Sequence, residues 1–318
     1  MRVLITGASG GIGRALGAYL REQAHEVTPL RRVTGSAPLD SSNGPVWDPA
    51  RGLLDARTLA DFDAVVHLSG ANIGEGRWTE ARRRVLWASR IESTHLLVDR
   101  MRDALAVGDG PRILVSASAI GYYGDRGAAV IEEGAPRGAG FLADLVAAWE
   151  SEAARAAESG VRVVSPRFGV LMAADDGALR RMTLATKLGA GGPLGSGRQW
   201  MSWVAPRDLV RSIEWFLAHE DAAGVYNLCS PEPARNRDIA RALGRVLHRP
   251  ALLPTPAFAL RLLLGGAADE LVLASQRVVP RRLLDAGFVF QLPAIEDALR
   301  AALRPNERRP GEVHAISS

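Results

Sequence analysis

The sequence predicts an α/β fold, a doubly wound parallel sheet followed by a smaller, mainly helical C-terminal lobe. Short apolar runs rich in β-branched residues alternate with longer amphipathic stretches over the first two-thirds of the chain. Runs that are apolar on both faces and joined by helical crossovers are typical of a parallel sheet covered on both sides. After residue 236 the pattern is mostly helical and broken by prolines, which indicates a separate, smaller unit.

The individual elements follow from these patterns in chain order. Strands are predicted at 3–5, 26–30, 64–68, 112–116, 161–164 and 225–228. Helices are predicted at 12–23, at 79–105 with one bend, at 140–158 and at 206–219. The glycine-rich stretch 189–201 is too long for a simple connection, so it is expected to be either functional or disordered. Residues 304–318 lack periodicity and are expected to form a flexible tail.

The composition excludes several classes of protein. The chain has 318 residues with 39 Lys+Arg and 35 Asp+Glu, so its formal net charge is +4. Acids are interspersed among the basic clusters, and a nucleic-acid partner is therefore not expected. The single cysteine, Cys229, cannot form an internal disulfide or a thiolate metal cluster, and no metal site is expected. Neither a membrane-spanning segment nor a signal-peptide pattern is found, so we expect a cytoplasmic protein.

A glycine-rich turn lies between the first predicted strand and the first predicted helix. Its glycines have the spacing G-x-x-G-x-x-G. Glycines let the backbone turn sharply and approach a ligand, and the N–H groups at the start of a helix attract an anion. A strand before the turn and a helix after it favour a site for the diphosphate of a dinucleotide. The residues expected to hold it are Gly7, Ser9, Gly10, Gly11, Ile12 and Gly13.

The same turn also contains the pattern G-x-S-x-G, which is the nucleophile elbow of α/β-hydrolases, centred on Ser9. In that interpretation Gly13 would have no special function. The downstream histidines His219 and His248 lie in stretches with helical patterns, not in a loop that would present a general base. The phosphate-binding interpretation is therefore preferred over a hydrolase.

The end of the second predicted strand indicates which dinucleotide would bind. NAD-binding domains usually carry an acid about 20 residues after the glycines, which holds the ribose 2′-OH, whereas NADP-binding domains carry arginine. Here Arg31 and Arg32 end the strand, and no acid occurs before Asp40. Two guanidinium groups suit a 2′-phosphate, so NADP(H) is favoured over NAD(H). The alternative is two solvated arginines.

Several motifs resemble the extended short-chain dehydrogenase/reductase superfamily. They are the glycine turn and the stretches 63–71, 115–118 and 167–171, which resemble the fourth strand, the fifth strand and the end of the sixth strand as they are counted in that superfamily. Further stretches resemble one branch, the epimerase family proteins related to NAD(P)-dependent nucleotide-sugar epimerases and dehydratases. These stretches are 77–79, 89–90, 121–124, 188–199 and 275–280, and the resemblance spans about residues 1–303.

The resemblance implies a Rossmann-type dinucleotide-binding domain over residues 1–168, to which 202–229 return. It also implies a substrate-binding lobe over residues 169–201 and 230–303. Beyond the glycine turn and the two arginines, it implies a further set of cofactor-binding residues, namely Leu68, Ser69, Gly70, Arg90, Ser116 and Arg167.

The usual catalytic pair of that superfamily is missing from the sequence. A tyrosine, and a lysine four residues later, normally exchange a proton with the substrate oxygen, because the lysine lowers the pKa of the tyrosine. The chain has one lysine, Lys187, and Phe141 and Leu145 occupy the positions of the pair. The ordinary mechanism of the superfamily therefore cannot be transferred to this chain.

Other residues are candidates for the proton chemistry. Ser118 matches the serine that helps the pair, although its hydroxyl would equally suit a capped turn. Tyr122 and Tyr123 follow on a glycine-flanked loop and are the phenols nearest to the expected nicotinamide. Asp144, on the helix predicted at 140–158, is a further candidate, against the alternative of a solvated helix carboxylate.

The stretch 195–203 supplies candidate substrate-binding residues. Arg198 would hold a phosphate or carboxylate, and Trp200 and Trp203 would form a flat apolar wall. The alternatives are Arg198 in solvent and Trp203 in the core. The branch usually has a histidine where this chain has Ala205, so an acid–base group of the relatives is absent.

The sequence thus predicts an NADP(H)-dependent oxidoreductase or epimerase that acts on a small polar or nucleotide-linked substrate. The alternative is an NADP(H)-binding regulatory or sensor protein without catalysis, which the missing tyrosine–lysine pair supports. A monomer or homodimer with a small-molecule substrate is expected, without a nucleic-acid or membrane partner.

Overall fold

A parallel β-sheet forms the centre of the molecule. The structure, a computed structural model, describes residues 1–35, 44–175 and 177–304. In these ranges the main strands of the sheet are β1 Arg2–Thr6, β2 Glu26–Arg32, β3 Val46–Trp47, β4 Ala64–His67, β5 Ile113–Ser116, β6 Arg162–Phe168 and β7 Gly224–Leu228. They are parallel and follow the order β3-β2-β1-β4-β5-β6-β7. Because the order reverses between β1 and β4, the loops after these two strands flank a crevice at the carboxyl edge.

Helices connect the strands and build the C-terminal lobe. The α-helices of the described ranges are α1 Gly11–Glu22, α2 Glu80–Ala88, α3 Ile91–Ala106, α4 Phe141–Ala154, α5 Gly177–Lys187, α6 Pro206–Ala218, α7 Asn236–Leu247, α8 Ala257–Leu264, α9 Arg281–Asp285 and α10 Ile295–Leu303. Single-turn 3₁₀ segments occur at Pro49–Arg51, Ala56–Leu59, Ile120–Tyr123 and Arg155–Ser159, and a π-helical turn at Ala268–Leu273.

Alternating residues of the strands fill two separate cores, one on each face of the sheet. Val3 and Ile5 pack with apolar residues of α1 and α6, whereas Leu4 packs with Leu97 and Met101 of α3. All of these side chains are fully buried, and burying one large aliphatic side chain contributes about 1.5–3 kcal/mol. The predicted doubly wound α/β fold is confirmed.

The predicted helix 79–105 is two helices, α2 and α3, separated at Ser89 and Arg90. The side chains of these two residues are held by the loop after β4. Ser89 Oγ accepts a hydrogen bond from the backbone N–H of Ala71, and Arg90 donates to the carbonyl of Ala71. The chain therefore turns where these side chains reach the sheet edge, instead of continuing as one bent helix.

The lobe has its own core and is fastened to the sheet domain by short strand pairs. Trp203, Ile239, Leu243 and Leu299 lie at the centre of that core. The pairs that join the two parts are Val170–Leu171 with Trp203–Val204, and Val130–Ile131 with Arg277–Val278. A third pair, Trp200–Met201 with Ala234–Arg235, lies within the lobe. No described helix combines the length and the apolar character that a membrane crossing requires. Apart from Arg304, the predicted flexible tail lies outside the described residues.

Candidate active site

The glycine turn after β1 has a backbone that only glycine permits at two points. Gly7 has a φ of +69°, and a β carbon there would lie 2.9 Å from the carbonyl carbon of Leu68. A β carbon on Gly13 would lie 2.3 Å from the carbonyl oxygen of Gly7 and 2.6 Å from Cα of Ala8. The start of α1 therefore packs directly on the turn, which closes as a tight loop.

The start of α1 is left open to a ligand. Gly10 is the N-cap residue and has no side chain to cap the helix, and none of the described side chains accepts a hydrogen bond from the first turn. Ser9 and Gly10 are exposed, whereas Gly11 and Ile12 are half-buried. The first N–H groups of a helix need an external acceptor, and they favour an anion. The turn thus has the geometry predicted for a diphosphate site.

A buried histidine ties this turn to the loop after β4. The hydroxyl of Thr6 accepts hydrogen bonds from the backbone N–H groups of Leu68 and Ser69, at 3.1 and 3.2 Å. Its own proton is therefore available to Nδ1 of His67, which lies 2.7 Å from Thr6 Oγ1. The Thr6 hydroxyl therefore holds the backbone of Leu68 and Ser69, two of the predicted cofactor residues, in place.

The second ring nitrogen of His67 is also assigned by its partners. Thr94 Oγ1 donates to the carbonyl of Arg90 at 2.6 Å and accepts a hydrogen bond from Trp149 Nε1 at 3.0 Å. Because the Thr94 hydroxyl has no second proton to donate, it accepts a hydrogen bond from His67 Nε2 at 3.0 Å, and Nε2 carries the ring proton. Burial, with a smaller effect of the Arg90 charge, lowers the pKa of His67 to about 3, so the ring is neutral.

This pKa predicts how the stability of the protein depends on pH. Above pH 6.5 the imidazole is neutral in the folded and unfolded states alike. Between pH 6.5 and 3 the unfolded chain binds a proton that the folded chain does not, so the free energy of unfolding falls by up to about 1.4 kcal/mol per pH unit. We measure the free energy of unfolding in urea at pH 7.5, 6 and 5. It should fall less steeply with decreasing pH in His67→Gln than in the wild type. Equal slopes would contradict the assignment.

Arg90 places a positive charge beside the same loop. Its guanidinium donates to the carbonyls of Ala71 and Leu86 and lies 5.3 Å from the ring of Trp149. A β carbon on Gly70 would lie 3.2 Å from its central carbon, so the guanidinium covers that glycine. Within the described ranges no carboxylate pairs with Arg90, and burial lowers its pKa to about 10. The charge is therefore uncompensated at the crevice edge.

The two arginines at the end of β2 are both exposed. Arg31 and Arg32 pair through their backbones with Val46 and Trp47 of β3. Neither guanidinium forms an ion pair with a carboxylate of the residues that the structure describes. Consecutive residues of a strand point to opposite faces of the sheet, so the two side chains leave the strand in opposite directions.

Ser118 belongs to a buried ion-pair network that the sequence does not predict. Arg167 donates from Nε and Nη2 to the two oxygens of Glu150, each at 2.7 Å, and from Nη1 to the phenol of Tyr123 at 2.8 Å. Ser118 Oγ donates to Glu150 Oε1 at 2.5 Å. Every nitrogen of the Arg167 guanidinium thus has a partner inside the protein, which differs from the predicted contact of Arg167 with a cofactor.

The two candidate tyrosines are in different environments. Tyr123 is fully buried, and its hydroxyl donates to Asn227 Oδ1 at 2.7 Å; burial raises its pKa to about 12. The ring of Tyr122 is only half-buried and lies over the Arg167 guanidinium, with its centroid 3.5 Å from Cζ. No described residue forms a hydrogen bond with the Tyr122 hydroxyl. Tyr122 is therefore the tyrosine that can meet a ligand.

The positions of the missing tyrosine–lysine pair are filled by an apolar cluster. Leu145 is buried in it, and the ring of Phe141 lies 5.3 Å from the ring of Trp78. The lobe also covers the start of α4, because both oxygens of Glu270 accept hydrogen bonds from the first N–H groups of that helix. Lys187 is exposed at the end of α5. Asp144 is exposed and paired with Arg137, which matches a solvated helix carboxylate.

The predicted substrate residues are separated by the structure. Trp203 has no exposed surface and lies in the lobe core, so the expected wall cannot include it; its place beside Val204 in a strand pair explains the burial. Arg198 is exposed, and its side chain forms no hydrogen bond with a described residue. Trp200 is half-buried between Arg235 and Arg277, two arginines that sequence analysis does not select because they are distant along the chain.

Glu150, Glu270 and Thr94 are the other residues that sequence analysis misses. Each is an ordinary helical or turn residue by pattern, and only its long-range partner shows what it does. Among the described residues, no group of three or more histidine, cysteine, aspartate or glutamate side chains is arranged to hold a metal ion.

The glycine turn at the switch point of a parallel sheet in this strand order defines a Rossmann-type dinucleotide-binding fold. Comparison with known families specifies it further. The model of the NAD-dependent epimerase/dehydratase family matches residues 3–229, and a domain of unknown function, DUF1731, matches residues 255–302. The chain belongs to the NAD-dependent epimerase/dehydratase family, and the predicted relationship is confirmed.

Individual relatives support this assignment over nearly the whole chain. Epimerase family protein Mb2239 of Mycobacterium bovis is 41% identical over 304 residues, which are 95% of this chain and 98% of that protein. The structure of human epimerase family protein SDR39U1, solved with NADPH, is 31% identical and superimposes with a TM-score of 0.82, covering 95% of this chain and 99% of the human one.

A more distant neighbour shares the fold alone. UDP-glucuronic acid 4-epimerase of Bacillus cereus, solved with UDP-glucuronic acid and NAD, is 18% identical with a TM-score of 0.72, over 95% of this chain and 98% of its own.

Proposed function

We propose that the protein binds NADP(H), with the diphosphate on the glycine turn and the start of α1. The residues present suit such a ligand. The helix start offers N–H groups that no described side chain caps, and Gly7 and Gly13 leave no room for a side chain. The hydroxyl of Ser116, at the end of β5, is buried without a hydrogen-bond partner among the described residues, and the ligand would supply one. The single observation that carries the proposal is the tight turn at the switch point.

The adenosine end is expected at the two exposed arginines of β2. A 2′-phosphate is matched by a guanidinium group, which forms charge-assisted hydrogen bonds with its oxygens. The human relative SDR39U1 was solved with NADPH. NAD(H) is the less favoured cofactor, because no acid stands at the end of β2 to hold a free 2′-OH.

Arg31→Gln and Arg32→Gln test the choice of cofactor. Because the two side chains leave the strand on opposite faces, we expect one variant to weaken NADPH binding by about tenfold or more and the other to change it little. NADH binding should be almost unchanged in both. Isothermal titration calorimetry measures all four affinities. Wild-type protein that binds NADPH and NADH equally would contradict the assignment.

We further propose that the substrate, a small polar or nucleotide-linked molecule, lies between the sheet domain and the lobe. The sheet domain in this proposal is residues 1–168 with 202–229, and the lobe is 169–201 with 230–303. Bound nicotinamide would supply or accept the hydride. Tyr122, whose hydroxyl forms no hydrogen bond with a described residue, would donate the proton. Ser118, whose own proton goes to Glu150, would orient the substrate by accepting a hydrogen bond from a substrate hydroxyl.

A sensor protein without catalysis is the second candidate function. It is favoured by the apolar cluster at Phe141 and Leu145, because no lysine is present there to lower the pKa of a tyrosine. Consumption of NADPH, followed at 340 nm against a panel of carbonyl compounds and sugar nucleotides, separates the two functions. Turnover that disappears in Tyr122→Phe supports the enzyme; tight NADPH binding with no turnover supports the sensor.

A further inference from the structure

Trp200 is the centre of a cationic cluster in the lobe. The guanidinium carbons of Arg277 and Arg235 lie 4.5 and 4.9 Å from the centroid of its ring. The cluster is assembled by backbone contacts: Trp200 pairs with Arg235 in an antiparallel ribbon, and the backbone N–H of Trp200 donates to Ser275 Oγ at 3.0 Å. Its three members therefore come from separate segments that fix one another.

The charges of this cluster lack counterions. Several arginines of the lobe are paired with carboxylates; Arg245 and Arg300 contact Glu296, and Arg261 contacts Asp269. By contrast, neither Arg235 nor Arg277 forms an ion pair with a described residue, although both are half-buried. Two like charges on one ring repel each other, and this repulsion is relieved when an anion binds between or beside them.

The unsatisfied polar atoms of the cluster are all donors. Trp200 Nε1 and Arg277 Nε are buried without a hydrogen-bond partner in the described parts of the chain. Buried N–H groups are normally paired, so a donor of this cluster without an acceptor in the protein is a position where a ligand could supply one. An indole N–H and two guanidinium groups together suit the oxygens of a phosphoryl or carboxylate group.

The cluster adjoins the loop that carries Tyr122. Gln276, the residue before Arg277, donates from Nε2 to the carbonyls of Ile120 and Gly124, each at 3.0 Å. These two carbonyls lie on either side of Tyr122 in the chain. An oxyanion at Trp200 would therefore be one end of a substrate whose other end reaches the tyrosine.

We propose that Trp200, Arg235 and Arg277 form an oxyanion-binding subsite, so that the substrate carries a phosphoryl or carboxylate group. The subsite rests on the proposed function, because it assumes a substrate between the sheet domain and the lobe. Its ligand chemistry, two guanidinium groups and an indole N–H, can be measured without any nicotinamide cofactor.

The indole N–H resonance of Trp200 reports directly on the subsite. The full chain has seven tryptophans, and Trp200→Phe identifies the relevant peak in a ¹H–¹⁵N spectrum. The protein is titrated with pyrophosphate and, separately, with malonate at constant ionic strength. We expect that peak to move downfield as the N–H gains an acceptor. A response to pyrophosphate alone identifies a phosphoryl group, a response to malonate alone identifies a carboxylate, and a response to both identifies a subsite that accepts either oxyanion.

Matched variants exclude a general charge effect. Arg277→Gln and Arg235→Gln should each weaken the titrated anion by about tenfold or more, as expected for the loss of one charge-assisted contact. Arg249→Gln removes an exposed arginine elsewhere on the lobe and should leave the affinity unchanged. A Trp200 resonance that stays in place with both anions, or equal losses in all three variants, overturns the proposal. Failure of NADPH to bind in a separate titration would instead remove the proposed function and leave this site standing.

Discussion

Gly13→Ala should raise the Kd for NADPH by about a hundredfold or more, because it opens the turn that we propose holds the diphosphate. The new β carbon would lie 2.3 Å from the carbonyl oxygen of Gly7 and 2.6 Å from Cα of Ala8. Both neighbours are backbone atoms, so the conflict cannot be relieved by turning a side chain. The turn must move, and the N–H groups at the start of α1 then no longer converge on one anion.

Gly17→Ala is the matched control for this result. Gly17 lies one turn further along the same helix, and its β carbon would meet only Arg21 Nη1 at 3.4 Å and Val27 Cγ1 at 3.8 Å. Alanine also favours the helix by up to about 1 kcal/mol relative to glycine. We therefore expect Gly17→Ala to bind NADPH as the wild type does and to be no less stable. Calorimetric titration that finds the same affinity in the two variants would refute the phosphate-loop assignment.

Glu150→Ala should destabilise the fold by about 3–5 kcal/mol, because it leaves a buried arginine without its counterion. The side chains of Arg167 and Glu150 are 4% and 12% exposed, and two hydrogen bonds of 2.7 Å join them. The same carboxylate accepts the proton of Ser118. Its removal therefore leaves the donors of Arg167 and Ser118 unsatisfied, and urea denaturation measures the loss.

Asp144→Ala provides the control on the same helix. Asp144 also accepts from an arginine, Arg137, at 2.8 Å, but both side chains are more than half exposed. Exposed pairs contribute at most about 1 kcal/mol, so this variant should be only slightly destabilised. If Glu150→Ala does not fold, the double variant Glu150→Ala/Arg167→Met should, because it removes the buried charge altogether. If Glu150→Ala loses no more free energy of unfolding than Asp144→Ala, the Arg167–Glu150 pair contributes no more to stability than an exposed ion pair.

Much of the sheet domain is predictable from sequence because its signals are local. Each strand is a short apolar run, and β1, β4 and β5 appear within one or two residues of their predicted limits. The break between α2 and α3 is not recognised, since Ser89 and Arg90 carry no helix-ending signal of their own. They end the helix through Ala71, a partner 18 or 19 residues away.

The candidate site shows the same division between local and distant information. The glycine spacing reveals the turn, because each glycine is needed within its own few residues. The two tyrosines, in contrast, look equivalent in sequence. Tyr123 is unavailable because its hydroxyl contacts Asn227, 104 residues further along, whereas Tyr122 has no such partner among the described residues.

The sequence by itself determined the parallel sheet, the glycine turn after β1, the absence of a tyrosine–lysine pair and the family. All of these depend on residue type and spacing over short stretches. Only the tertiary structure decided that Ser118 is held by Glu150, that Trp203 is core, and that Arg235 and Arg277 meet at Trp200. Such contacts join segments far apart in the chain, and their energies depend on burial, which a local pattern does not contain.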